Sequence, residues 1–182
     1  MELFYGKAKC VSCHSGSLYS DFDFHAIAMP QVGPGKGVGA GGHEDFGREG
    51  VTGKKSDRYK FRTPTLRNVA LTAPYGHSGA YDTLKEIVRH HIDPEGSLRN
   101  YNRANFVVPY CTDLDAIDFL VMDQPSVVDK IAKANELKKN RRIKEGEIRD
   151  LVAFLNALTD MDSVDLRHDI PSSVPSGLPV LD

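Results

Sequence analysis

The most specific chemistry in the chain sits near its amino end, in the run Cys10-Val11-Ser12-Cys13-His14. Two thiols separated by two residues can add to the two vinyl groups along one porphyrin edge. The imidazole that follows then lies beneath the iron as an axial ligand. A structural zinc would need four ligands, usually including a second Cys or His pair. Cys111 is the one cysteine left, and there is no second CxxC. A thioredoxin-like pair would sit in a βαβ setting, which the flanking sequence does not show. The motif therefore predicts one covalent haem c on Cys10, Cys13 and His14. Cys111, left over from an odd count that argues against a disulfide framework, is expected to be a buried or half-buried free thiol.

An iron held by His14 has a second axial face. His25, Met29, His77, His90, His91, Met122 and Met161 are the side chains that could reach it. Periodicity separates them. Leu84, Ile87, Val88 and His91 fall at i, i+3, i+4 and i+7, one stripe of a helix, which puts His91 on the buried face. His90 is turned about 100° away, toward Glu86 and a more polar side. A histidine on an apolar face needs a partner, either an iron or a backbone carbonyl in an ordinary core. Met29, ahead of Pro30 in a loop, is the rival ligand. His25 reads as a loop residue, and His43, in the Gly-rich region, carries no assignment.

The elements around these residues point to a mainly α, cytochrome c-like haem domain with long irregular loops. Residues 2–14 read as a short helix running into the Cys-containing turn. Residues 15–62 lack long apolar periodicity. The Gly-rich patch Gly33 to Gly42 reads as a flexible linker, since no strand precedes it and no GK[ST] follows as a phosphate loop would require. One or two helical turns are expected between Pro64 and Leu71. Thr83 with Glu86 forms a capping box, opening a helix that stops before Pro94. Further helices are expected over 112–122, from Pro125 to Lys139 with Ser126 as cap, and from Lys144 to Leu158. Residues 1–160 form the domain, and 161–182, with Pro171, Pro175 and Pro179, read as a tail. Few strands are expected. A net charge of −2 offers no basic balance for nucleic acid. No apolar run has the length of a membrane span. At 182 residues there is room for one domain with a real core.

A longer stretch carries a family resemblance. The run from Phe61 to Gly79, FRTPTLRNVALTAPYGHSG, resembles the F-K/R-T-P-x-L-R-N-V-x-x-T-x-P-Y-x-H-x-G signature of the bacterial di-haem cytochrome c peroxidases, which include the enzyme that matures tryptophan tryptophylquinone. Asp45-Phe46-Gly47-Arg48 is similar to the upstream D-x-G-R piece. Leu84 to His91 resembles the helix L-E-E-V-V-x-H-Y, and Phe154 to Thr159 resembles the F-L-x-A-L-T ending. The likeness covers about residues 1 to 160. It implies the C-terminal, electron-accepting haem domain, whose first and last helices cross at the haem edge. Its distal ligand stands fourteen residues after the signature histidine, a Met in the peroxidases and a Tyr in the cofactor-maturing branch. Fourteen residues on from His77 is His91, so this sequence departs from both. A bis-His iron is expected to be low-spin, with a potential below that of a His/Met pair.

The resemblance also implies weaker assignments. The backbone carbonyls of Thr72 and Pro74 match a calcium site at the domain interface, hard oxygen being the donor calcium prefers. Arg48 and Arg67 would hold haem propionates, against the plain reading of surface ion pairs. His77 would hydrogen-bond in the haem pocket or merely stabilise its turn. In the family a second, N-terminal haem domain reduces hydrogen peroxide. With a single CxxCH, this chain is expected to lack that half and to be a fragment or the partner of another chain. It would take electrons from a small cytochrome c or cupredoxin. The alternative is a stand-alone mono-haem electron-transfer cytochrome without peroxidase activity. Covalent haem attachment implies the periplasm, although the start Met1-Glu2-Leu3-Phe4 does not read as a signal peptide.

Overall fold

In the computed structural model, which describes residues 1–140, 142–171 and 173–178, short helices and turns dominate. The α-helices in chain order are α1 (Glu2–Tyr5), α2 (Glu49–Thr52), α3 (Leu84–Ile92), α4 (Pro94–Arg99), α5 (Thr112–Asp115), α6 (Pro125–Lys133) and α7 (Glu145–Asn156). Single 3-10 turns punctuate the loops, among them Cys10–Ser12, Val69–Leu71 and His77–Gly79. Two strands of two residues each, β1 (Phe24–His25) and β2 (Phe61–Arg62), pair antiparallel with Phe24 opposite Arg62.

The expected capping box starts α3. The Thr83 hydroxyl accepts the Glu86 N–H, and the Glu86 carboxylate accepts the Thr83 N–H. Asp93 ends α3 and at once caps α4, its carboxylate accepting the Gly96 N–H with Pro94 in the first turn. Pro94 thus opens a further helix as well as closing the first. Helix α7 lies against both α3 and α1. Phe4 meets Phe154 at 4.9 Å between ring centres, and Lys7 pairs with Glu147 at 2.6 Å, so the first and last helices are joined by an aromatic and an ionic contact. This first cluster buries Phe4, Met29, Val32, Tyr75, Ala80, Tyr81, Leu84, Leu151 and Leu155. A second cluster gathers Ala28, Tyr59, Leu98, Val121 and the inner face of α6 (Val127, Val128, Ile131, Ala132).

Several expectations change. Only Thr112–Asp115 of the 112–122 segment is α-helical. The Asp118 carbonyl is drawn to Gly33 N–H at 2.9 Å, and the chain continues as turns that send Phe119 to the first cluster and Val121 to the second. Helix α6 stops at Lys133, not Lys139, and Gln124 precedes its first turn in place of Ser126. Beyond it, Glu136 N–H pairs with the Ala26 carbonyl at 2.8 Å, which a helix could not allow. The Gly-rich stretch is folded rather than a flexible linker. Val38 pairs with Glu44, and the buried Glu44 carboxylate accepts the Ala40 N–H at 2.6 Å and the Tyr59 hydroxyl at 2.7 Å. The glycines let that loop wrap closely; a Cβ on Gly39 would strike the Glu44 side chain at 2.5 Å. Cys111 is exposed, not buried, because it sits at the surface end of α5. The segment after Asp160 begins tied to the body, with Asp160 N–H on the Asn68 amide oxygen and the Asn68 amide on Ser163. Pro179 lies outside the described residues.

Candidate haem-binding site

The CxxCH segment is a single 3-10 turn, Cys10–Ser12, closed by the Cys10 carbonyl accepting from both Cys13 and His14 N–H. The loop after it folds back, with Asp21 N–H on the Cys13 carbonyl at 2.7 Å. Both sulfurs are half-buried free thiols. Burial pushes the Cys10 thiol up to about 11 and raises Cys13 as well, the latter eased by the Ser12 hydroxyl. Neither is poised as a thiolate near neutral pH, unlike the low-pKa attacking thiol of a redox CxxC.

The His14 and His91 rings lie side by side in space with centres 6.3 Å apart and planes tilted by 57°. An imidazole nitrogen binds a metal at about 2 Å and lies about 1.2 Å from its ring centre, so two imidazoles sharing one ion stand about 6 Å apart. The two rings are held alike. His14 Nδ1 is 3.0 Å from the Tyr19 carbonyl, and His91 Nδ1 is 2.8 Å from the Ile87 carbonyl one turn back in α3. A carbonyl can only accept, so each Nδ1 carries the proton and each Nε2 keeps its lone pair. Burial, then the neighbouring His91, lowers His14 to about 4, and burial lowers His91. Both rings are therefore neutral near pH 7, as ligation requires. The donor set and its spacing fit a haem iron between the two. Leu66, Val69, Ile87 and Val88 are partly buried against the first cluster.

His90 overturns the helical-stripe expectation. It is the fully buried histidine of α3, while His91 is only partly buried. Helix α3 packs against both α7 and α4, so more than one of its faces is covered. His90 Nδ1 meets the Tyr81 hydroxyl at 2.9 Å, and its Nε2 meets the Ile27 carbonyl at 2.8 Å. Met29 is buried in the first cluster with its Sδ against Gly76. Met122 packs into both clusters, and Met161 is exposed. His25 pairs with Asp21 at 3.1 Å; with Cys13 these form the one other metal-capable group among the described residues. His43 bonds the Pro34 carbonyl at 3.1 Å.

The signature residues meet one another. His77 Nε2 is 2.8 Å from Asp45, and the Phe61 ring stacks on His77 at 3.7 Å. Asp45 is fixed by paired backbone bonds with the Gln31 amide. Gly47 follows at φ +59, where a Cβ would meet the Lys60 carbonyl at 2.4 Å. Burial lowers His77 despite the Asp45 carboxylate, which acts to raise it. Arg48 lies 4.2 Å over the Phe24 ring and within 3.8 Å of Asp23 and Asp57. Arg67 bonds the Ser17 carbonyl through Nε at 3.0 Å. Thr72 and Pro74 are exposed.

No family model matches the chain. The cytochrome-c peroxidase IdrP1 of Pseudomonas sp. (strain SCT) is 30% identical over 94% of this chain and 41% of its own length. The methylamine utilization protein MauG of Methylorubrum extorquens is 37% identical over 50% of this chain and 23% of its own. The chain is homologous to the di-haem cytochrome c peroxidases. Among solved structures of that family, the diheme peroxidase BthA of Burkholderia thailandensis shares the fold, with a TM-score of 0.62 and 23% identity over 99% of this chain and 45% of its own. A MauG-like protein associated with microbial copper homeostasis gives a TM-score of 0.58 at 26% identity over 91% and 47%. The chain spans less than half the length of the relatives it matches. Homology to these enzymes supports a haem-binding redox function. Among the described residues, no helix is long and apolar enough to cross a membrane. Sequence reasoning missed the Tyr19 and Ile87 carbonyls that fix the two imidazoles, and the Tyr81–His90 pair. Backbone acceptors leave no residue-type signal.

Proposed function

We propose that this chain is the electron-accepting haem c domain of a di-haem cytochrome c peroxidase, with one covalent haem on Cys10 and Cys13 and with His14 and His91 as axial ligands. The observation that carries the reading is the His14–His91 pair, with ring centres 6.3 Å apart and each Nδ1 tied to a carbonyl, His14 coming directly after the two thiols. Haem, when bound, stores and passes one electron at a time. The residues of the chain do the rest. Cys10 and Cys13 would tether the ring edge, burial keeps both imidazoles neutral, and the two carbonyls orient them. Were His14 and His91 both to hold the iron, the protein would supply its ligands from two sides, which suits electron transfer and would leave peroxide no place to bind. Peroxide reduction therefore belongs to a second haem domain, in the same polypeptide or a partner, with electrons arriving from a small cytochrome c or cupredoxin in the periplasm. Arg67, anchored three residues past His14 on Ser17, is the better propionate partner; Arg48 already faces two carboxylates. Calcium at the Thr72 and Pro74 carbonyls needs a ligand from that second domain.

The test is the visible and magnetic circular dichroism spectrum of ferric protein matured with haem. Wild type is expected to be six-coordinate and low-spin. His91→Ala is expected to become high-spin or water-ligated. An unchanged axial spectrum in His91→Ala would remove His91 from the iron and bring Met29 forward. Peroxide turnover by the isolated chain above that of free haem would refute the electron-transfer assignment.

A further inference from the structure

Two histidines adjoin in α3, and only His91 has its ring beside that of His14. The other has both ring nitrogens occupied. His90 Nε2 is 2.8 Å from the Ile27 carbonyl, so Nε2 carries the proton and Nδ1 is the acceptor. That Nδ1 takes the Tyr81 hydroxyl proton at 2.9 Å, and the Ser97 hydroxyl then lies 2.8 Å from the same phenol oxygen, donating to it. Tyr81 is itself fixed. Its backbone pairs in both directions with Tyr75, at 2.6 and 3.0 Å, and its ring packs edge-on against Tyr101 at 5.7 Å. The phenol thus joins the 75–81 loop, α3 through His90, and α4 through Ser97. The Ile27 carbonyl joins the loop that carries Met29.

We propose that Tyr81 is the positioning residue for the distal ligand: by holding His90, it fixes the rotation of α3 about its axis and so keeps the His91 imidazole opposite His14. The inference rests on the His91 ligation proposed above. A helix is free to turn about its axis unless side chains on more than one face are pinned. His91 is held only within its own helix, through the Ile87 carbonyl, and that bond turns with the helix. The His90 bonds tie the same turn inward, 9 residues back at Tyr81 and 63 residues back at Ile27, while Arg89 pairs with Glu145 and the Ile92 carbonyl accepts the Asn140 N–H toward the C-terminal part of the chain. They also leave His90 no lone pair with which to compete for the iron. Partners beyond the immediate ligands commonly change metal affinity 10- to 100-fold.

The test is a cyanide titration of the ferric, haem-loaded protein, which reads how firmly the sixth ligand is held. Tyr81→Phe keeps the ring and removes the hydroxyl. It is expected to lower the cyanide midpoint about tenfold, with a rise in the high-spin signal, while covalent haem content stays at the wild-type level. Val127→Ala, in the second cluster, is expected to lower the melting temperature and leave the midpoint alone. That contrast separates positioning from general destabilisation. If Tyr81→Phe does not fold, Ser97→Ala, which removes one bond to the phenol, is expected to shift the midpoint in the same direction by a smaller factor. A wild-type midpoint in whichever of the two folds, alongside an altered His91→Ala, would overturn the Tyr81 role and leave the ligand assignment standing. A wild-type midpoint and spectrum in His91→Ala would take down both.

Discussion

The two hydrophobic clusters are built differently. The second, around α6, is closed: Leu98, Val121, Val127 and Ile131 are almost wholly buried and few half-buried residues adjoin them. The first, around α1, α3 and α7, has a wide fringe of partly buried apolar residues, and Cys10, Val11, Leu66, Val69, Ile87 and Val88 belong to it. The polar groups divide in the same way. Near the second cluster the buried Glu44 carboxylate is spent on protein partners, Ala40 and Tyr59. Near the first, His14 and His91 each keep one nitrogen uncommitted among the described residues. Packing that is complete in itself marks a scaffold. Packing fringed by half-buried apolar groups and unspent donors marks where a large flat ligand belongs.

The largest expected effect falls on the fringed side. Cys10→Ser with Cys13→Ser removes both sulfurs that can form thioethers. No covalent haem should survive denaturation in mass spectra of protein made with cytochrome-maturation machinery. The double variant carrying haem through denaturation would end the assignment of this cluster to the cofactor.

Next in size is a cavity in the scaffold. Ile131→Ala truncates a side chain that is 1% exposed and should cost about 2–5 kcal/mol in denaturant unfolding. The ferric haem spectrum of the folded fraction should stay that of wild type. A changed axial spectrum would mean the two clusters are not separable, and the contrast would fail.

A buried polar bond comes third. Glu44→Gln replaces the carboxylate that receives the Tyr59 hydroxyl and the Ala40 N–H. It should cost about 1–3 kcal/mol and loosen the Gly-rich loop, seen as faster amide exchange over residues 36–44. Burial and the Glu44 contact hold the Tyr59 hydroxyl protonated throughout the neutral range, so the loss should not vary between pH 6 and 9.

These contrasts also explain which parts were readable from residues alone. The thiol pair, the capping box at Thr83, and α7 with its apolar period all rest on local rules, and the fold follows them. The two histidines show where such rules stop. A stripe argument assumes one buried face, yet α3 is covered on two sides, so the fully buried residue is His90. Residues 33–42 have the composition of a linker, but Glu44 and Tyr59, distant in sequence from one another, order them. In 112–124 the apolar residues serve two clusters, and a single helix face cannot do that. The interlocking of Asp45 with Phe61 and His77 lay hidden in two separate signature pieces. Each joins by a contact over many residues, invisible to any window.

Acidity should reveal the buried histidine. Burial first, then the neighbouring His91, lowers His90 to about 3, while the Ile27 carbonyl and Asp93 act to raise it. An unfolded histidine titrates at about 6.5. As pH falls, the unfolded chain takes this proton before the folded one does. The contribution of neutral His90 is therefore fully present above about 6.5 and is lost progressively toward 3. His90→Leu has no such proton to gain. The gap in melting temperature between wild type and His90→Leu should narrow steadily from pH 7 to pH 4. A constant gap would show that His90 is not held neutral, against the tautomer that the Tyr81 bond requires.

The smallest effect tests whether α3 is held by its cap or by its side chains. Thr83→Ala deletes the hydroxyl that accepts the Glu86 N–H and donates to the Glu86 carboxylate, which keeps its bond from the Thr83 N–H. Such a loss typically costs about 1 kcal/mol. The damage should be confined to the first turn, because Leu84 is buried there and His90 is pinned two turns on. Melting should drop slightly, while the cyanide midpoint of the ferric protein should match wild type. A shifted midpoint in Thr83→Ala would place control of His91 in the start of the helix, and the Tyr81 bond would then be one contributor among several.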